Sequence, residues 1–272
     1  MCDLNHTVAQ TSSFSDKINQ LIDASLQANH AQAPKRDYLG ASRLGVSCSR
    51  ALQYEYTNTP RDQPWSGKTL RIFAMGHSLE KMAWQRLTDA GFEISTVGLN
   101  NQPHGFATAD GRIQGHIDGI IHKCPQYDTL TEVLTNSGQR QMDGDIGIGG
   151  TIMTCPALWE CKSMNAKSWK QTVTHGVSKA HPSYAVQIAL YQAYMGINQN
   201  PALFTAINKD TSEIYHELVV FDAALAQQAS DRGVNILLAT NAGETLPRVT
   251  SDPNDFVCRF CNWQKHCWQE NR

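Results

Sequence analysis

No stretch of this 272-residue chain approaches the roughly 18 consecutive apolar residues that a membrane-spanning helix needs. The first thirty residues also lack the basic and apolar regions of a secretion signal, so a cytoplasmic protein without a membrane partner is expected. Charge of one sign is scarce: 23 Lys+Arg against 25 Asp+Glu leave a formal net charge of -2. That balance argues against a strongly basic wrapper of nucleic acid and leaves room for a local positive channel. Internal repeats, low-complexity tracts and Pro/Gly/Ser-rich linkers are missing, so one domain with embellishments is expected. The chain holds no Gly-x4-Gly-Lys-Ser/Thr phosphate loop, which excludes a fused ATP-driven helicase module. Its Gly147-Ile148-Gly149-Gly150 run precedes no helix pattern, and its ten histidines form no His-Glu-x-x-His pair. What is present is ordinary globular material, 41% hydrophobic and 18% charged, enough to bury a full core.

Apolar spacing predicts an amphipathic helix over 14–26, with Ile18, Leu21, Ile22 and Leu26 on one face. A second helix is expected to begin near Ser42 or Ser47 and to carry Cys48, Leu52 and Tyr56. A third, over about 69–90 and stopped by Gly91, has a stripe of Phe73, His77, Glu80, Trp84 and Leu87. Two polar residues on an inward stripe need a reason, because a buried carboxylate is costly unless it is paired or bound to a metal. Strand patterns follow over 92–97, 112–122 and 158–162, with a Gly-rich insertion about 122–157 between the last two. A helix over 183–195, a hairpin of 203–208 with 213–220, and a final long helix over 221–240 complete an α/β sandwich of mixed strand direction.

Asp118 near one strand, followed by Glu160-Cys161-Lys162 on another, has the form Asp…Glu-x-Lys. Adjacent strands lie about 4.8 Å apart, so two carboxylates on neighbouring strands can grip one divalent cation. Glu160 and Lys162 share a strand face. Such a site polarises a phosphodiester and lowers the pKa of a bound water, with the lysine positioning that water or neutralising charge. Taken alone the triplet is equally a salt-bridged strand.

The triplet has company. Gly76-His77-Ser78-Leu79-Glu80, Gly115-His116-Ile117-Asp118-Gly119, Trp159-Glu160-Cys161-Lys162 and Gln187-Ile188-Ala189-Leu190-Tyr191 occur in the order of the RecB-like branch of the PD-(D/E)XK nucleases, and the chain resembles that branch over 76–191. The resemblance implies a restriction-endonuclease-like core with a mixed central sheet flanked by helices. It also implies that Asp118, Glu160 and the peptide carbonyl of Cys161 bind Mg2+ or Mn2+, with Lys162 as the active-site lysine. Gln187 would orient the lysine or substrate, and Tyr191 would support the site. Where many relatives carry a histidine four residues after the motif glycine, this chain has Glu80, the favoured first-motif metal ligand, with His77 as its rival.

Cys258, Cys261 and Cys267 crowd the C-terminal region, and in a cytoplasmic chain such a trio suggests metal chemistry. Spacing alone suits zinc, for which His266 can supply a fourth ligand. The chain also resembles the iron–sulphur members of the nuclease branch, the phage exonucleases and CRISPR-adaptation nucleases, which place one cysteine before the core and three after it. That resemblance implies Cys48 as the fourth ligand of a 4Fe-4S cluster, with Zn2+ at the same four cysteines as the alternative. Cys124 and Cys155, each followed by Pro, are expected near one another at the base of the insertion, whereas Cys2 has no evident partner.

The expected organisation is an N-terminal helical region over 1–67, a nuclease core over 68–245, and a cysteine-rich segment over 246–272 that closes a cluster subdomain with the N-terminal region. Lys162, Lys167, Lys170 and Lys179 form a basic run, and Arg43, Arg50, Arg61, Lys68 and Arg71 are candidates to extend it toward DNA. Trp169 and Tyr184 are read as core aromatics rather than base-stacking residues. The function expected is a metal-dependent DNA nuclease, a single-strand exonuclease acting on ends. The alternative is a DNA-end-binding or CRISPR-adaptation accessory protein with little activity of its own. Recombination or CRISPR-adaptation proteins are the expected protein partners.

Overall fold

The computed structural model describes residues 13–125, 146–148 and 151–269. Cys2 and much of the expected insertion lie outside these residues. Ser13 opens α1 (Phe14–Gln32) with a reciprocal cap, its Oγ accepting from the Asp16 N–H while the Asp16 carboxylate accepts from the Ser13 N–H. The helix runs past its expected end at 26 because Gln and Ala continue it until Pro34 intervenes. It buries none of its own residues.

A short strand β1 (Leu39–Gly40) and a 3-10 turn (Ala41–Arg43) precede α2 (Ser49–Tyr56). Cys48 is the N-cap of α2 rather than part of its body, a later start than expected, since the tight turn uses the residues from Ser42 onward. The third helix, α3 (Gly67–Asp89), begins where the Ser66 Oγ accepts from the Thr69 N–H.

The strands are β2 (Glu93–Ser95), β3 (Gly105–Thr108), β4 (Ile113–His116), β5 (Gly119–Lys123), β6 (Ile146–Ile148), β7 (Thr151–Met153) and β8 (Ala157–Met164). After α4 (Ala166–His175), α5 (Val177–Ala180) and α6 (Pro182–Tyr194) come β9 (Ala202–Asn208), β10 (Ile214–Val219) and α7 (Ala223–Asn241). Two short helices, α8 (Phe256–Arg259) and α9 (Gln264–Gln269), end the described chain. No helix among the described residues is long and apolar enough to cross a membrane.

The expected mixed sheet flanked by helices is present, joined by a second, smaller mixed sheet and a separate β6–β7 pair. The larger has the order β10-β9-β8-β5-β2, with β8 and β9 parallel and the other pairs antiparallel. The three helices α4 to α6 supply the crossover that a parallel pair requires. The smaller sheet has the order β1-β4-β3. The segment 112–122, expected as one strand, is divided between them: β4 pairs with β1 and β3, whereas β5 pairs with β2 and β8. Between them the Ile117 N–H turns to the His104 carbonyl, and Asp118 lies at the changeover.

Both faces of β8 are covered. Leu158 and Met164 join Ile188, Tyr191, Phe204 and Ile236 in the core beneath α6 and α7, and Ala157, Trp159 and Cys161 join Ala83, Leu87 and Ile207 beneath α3. Period-two alternation thus divides β8 between two cores. It puts Glu160 and Lys162 on the α6 side and fixes which helices can reach them. The expected hairpin is present, with Ile214 opposite Ile207 and Val219 opposite Ala202.

Candidate active site

Gly119 pairs with Trp159 and Ile120 with Leu158, so continuing this antiparallel register sets Asp118 opposite Glu160. The Asp118 Oδ2 accepts from the Cys161 N–H at 2.7 Å, which fixes the aspartate where β5 begins. Glu160 is wholly buried. Its Oε1 accepts from the Lys162 ammonium and from the Gln187 Nε2 at 2.6 Å, while its Oε2 is buried with no hydrogen-bond partner. An orphaned carboxylate oxygen in a core is expensive.

Asp118, Glu160, Lys162, Gln187 and Tyr191 therefore converge, brought there by β8, α6 and the turn between the sheets. Burial raises the Glu160 carboxyl to about 8, with the Asp118 charge adding to the effect. Asp118 also rises above the usual carboxylate range through burial, against the opposing pull of Lys162. For Lys162 burial works downward, but Glu160 and Asp118 overcome it and hold the ammonium above its ordinary value. The Tyr191 hydroxyl is raised by burial and by Glu160; its ring lies edge-on to Phe106, with centroids 5.7 Å apart.

Glu80 and His77 separate here. Glu80 is half-buried and its carboxyl is raised by burial and by Asp118, so it shares the field of the site. The His77 side chain is 84% exposed, with its Nδ1 3.8 Å from the Glu80 Oε2. The inward position expected for His77 is thus corrected, because the stripe of α3 sinks into the core only from its middle onward, at Ala83 and Leu87.

Arg43 is paired with Glu55, Arg71 with Asp23, and Arg50 donates to the Leu246 carbonyl, so three of the five early arginines and lysines already have partners. Trp169 donates from Nε1 to the Ala206 carbonyl, and Tyr184 lies beneath the Lys162 ammonium, 5.5 Å from ring centroid to Nζ.

Cys48, Cys258, Cys261 and Cys267 line one pocket with Arg50, Tyr54 and Trp268. Burial raises the Cys258 and Cys261 thiols, and the neighbouring cysteines push in the same direction. His266 does not line that pocket and packs edge-on against Tyr54, with centroids 5.0 Å apart. Among the described residues, no three His, Cys, Asp or Glu side chains are gathered tightly enough to hold a single ion. Cys124 and Cys155 do meet as expected, with sulphurs 2.9 Å apart. Sequence reasoning named Arg61 only as a candidate DNA contact and missed its packing, in which the guanidinium lies over the rings of both Trp65 and Trp263.

No family model and no curated protein matches the sequence. Among solved structures the chain is similar to an alkaline exonuclease from Laribacter hongkongensis, at 16% identity and a TM-score of 0.47, over 81% of this chain and 93% of that one. The same enzyme in complex with dAMP matches at 15% identity and 0.46, over 82% and 93%. SSO0001 matches at 13% identity and 0.46, over 94% and 98%. Likenesses this distant define neither family nor activity, and what the site can do is read from its own residues.

Proposed function

We propose that the chain is a divalent-metal-dependent DNA nuclease of the PD-(D/E)XK type, acting as an exonuclease on single-stranded ends. The observation that carries this reading is the buried Glu160, with one oxygen held by Lys162 and Gln187 and the other without a partner, opposite Asp118. Two carboxylates and one adjacent carbonyl suit Mg2+ or Mn2+, which bind through one or two carboxylates and complete their shell with water and phosphate. The donor set thus fits the ion, with Asp118, Glu160 and the Cys161 carbonyl as its ligands. Glu80, the favoured first-motif ligand, shares the field of these carboxylates, its own carboxyl raised by burial and by Asp118. A bound divalent ion would supply Lewis-acid polarisation of the phosphodiester and a more acidic water.

The protein's own residues do the rest. Lys162 keeps its proton at Nζ, so it acts as a charge partner for phosphate oxygen and not as a base. Gln187 donates to Glu160 and orients that carboxylate, while Tyr191 walls the site from the α6 side.

The four cysteines lining one pocket support a 4Fe-4S cluster there. Zn2+ at the same four cysteines is the alternative guest. Asp118→Asn tests the nuclease reading. It keeps an oxygen for the Cys161 N–H but removes the charge, and cleavage of end-labelled single strands with Mg2+ or Mn2+ should fall at least about a hundredfold while circular dichroism is unchanged. Cleavage at the wild-type rate would overturn the assignment.

A further inference from the structure

The Cys124 and Cys155 sulphurs meet 2.9 Å apart at the base of the segment that joins β5 to β8. That is less than an ångström beyond the roughly 2.05 Å of a sulphur–sulphur bond. The backbone beside each cysteine is anchored. Before Cys124, Lys123 pairs with Glu93 of β2 in the sheet and through a 3.0 Å ion pair between their side chains; after it, Pro125 fixes φ. On either side of Cys155, the Thr154 hydroxyl donates to the Asn200 Oδ1 and the Asn200 Nδ2 donates to the Pro156 carbonyl at 2.9 Å. Asn200 is itself held, its carbonyl accepting from the Gln192 Nε2 at 3.0 Å. Cys124 is buried with Ile121, Met153 and Ala157 in the core beneath α3, and Cys155 packs against that core while staying half-buried.

The ladder beside them is short: three residue pairs, from Gly119–Trp159 to Ile121–Ala157. One end carries Asp118 opposite Glu160. The other runs into 122–156, a connection too long to be the tight turn that usually fixes the register of a strand pair. We propose that Cys124 and Cys155 are a thiol–disulfide modification site, which a low-molecular-weight disulfide such as oxidised glutathione converts to a cross-link stapling β5 to β8. The half-buried Cys155, as thiolate, attacks one sulphur of the reagent and releases one thiol. The Cys124 thiolate then attacks the Cys155 sulphur of the mixed disulfide and releases the second. Two protein thiols thus lose two protons and two electrons, which leave as two molecules of reagent thiol. Because both cysteines are anchored by their neighbours, the second attack proceeds at a high effective concentration. Cys161 lies four residues beyond Ala157 on β8, about 13 Å along the strand, and takes no part.

The test equilibrates the full-length protein with oxidised and reduced glutathione at about 1 mM each, then quenches with acid, alkylates and maps the peptides by mass spectrometry. The peptide linking Cys124 to Cys155 should be the main oxidised species, with Cys161 still alkylated. Oxidation should raise the thermal midpoint by about 5 °C and slow amide exchange at Gly119–Ile121. Cys155→Ser should show neither change, and taking its response as the baseline removes any effect of oxidant on the other cysteines. Should that variant fail to fold, the peptide map and the exchange rates of the wild-type protein still decide. Glutathione adducts without the 124–155 link, a link between other cysteines, or a link that leaves midpoint and exchange unchanged would each overturn the staple. So would a pair that resists oxidation and alkylation until EDTA removes zinc, which would make it a metal-binding pair.

Discussion

Glu160 has one oxygen more than its protein partners satisfy, and its ionisation is set by that shortage. In an unfolded chain the group titrates near 4.5, and in the folded, metal-free protein near 8. Between those values the folded state binds the extra proton, so stability falls as pH rises from about 4.5 to 8 and levels off above. Glu160→Gln imitates the protonated form and removes the dependence. In EDTA, the thermal midpoint of the Gln variant relative to wild type should climb across that window; a gap independent of pH would contradict the burial argument. Gln187 acts on the same carboxylate through its 2.6 Å hydrogen bond. Gln187→Ala frees that carboxylate to reorient, and apparent Mn2+ affinity measured by titration calorimetry should fall about 10-fold. An unchanged affinity would make Gln187 a packing residue.

At the scale of elements, the site depends on how closely α6 approaches the 3-10 turn before α2. A Cβ built on Gly45 would lie 2.5 Å from the Ser183 Cα and 2.7 Å from its carbonyl oxygen, so backbone meets backbone at the start of α6. No rotamer change relieves such a contact. Gly45→Ala should therefore push α6 outward and cost about 1–3 kcal/mol in urea unfolding. Because α6 carries both Gln187 and Tyr191, cleavage should fall in the same variant. A stable Gly45→Ala protein with full activity would show that the helix has slack at this point.

Across the whole molecule, the ends of the chain are tied together around α2. Gln53 reaches the Thr240 hydroxyl and the Glu244 carbonyl, the Trp263 Nε1 donates to the Thr59 carbonyl, and Asp62 holds the first N–H groups of α9. These contacts assemble the pocket from segments at opposite ends of the sequence, so a ligand bound there closes a very long loop. If that ligand is an iron–sulphur cluster, anaerobically prepared protein should be brown, and Cys48→Ser should bleach it and lower its thermal midpoint. Cys161→Ser should keep the colour, since Cys161 packs with Trp159 in the core beneath α3. Colourless protein with stoichiometric zinc would replace the cluster while leaving the carboxylate site intact.

Local chemistry made much of this legible in the chain itself. Alternation along 158–162 put Glu160 and Lys162 on one face, and turn residues at 209–212 marked the β9–β10 hairpin, because strand period and turn preference act between neighbours in sequence. The same reasoning misread 112–122 as one strand, since its alternation continues unbroken and only pairing with different partners divides it at Asp118. His77 and Glu80 are spaced for one helical face, yet their burial differs because the sheet covers only the later turns of α3. Likewise no pattern in the chain tells that Arg71 is spent on Asp23 while Arg61 lies over the rings of two tryptophans. The residue types and their local faces belonged to the sequence; which oxygen lacks a partner, which cations are paired and which part of a stripe is buried were decided by tertiary contacts, because burial and charge compensation depend on neighbours far away in the chain.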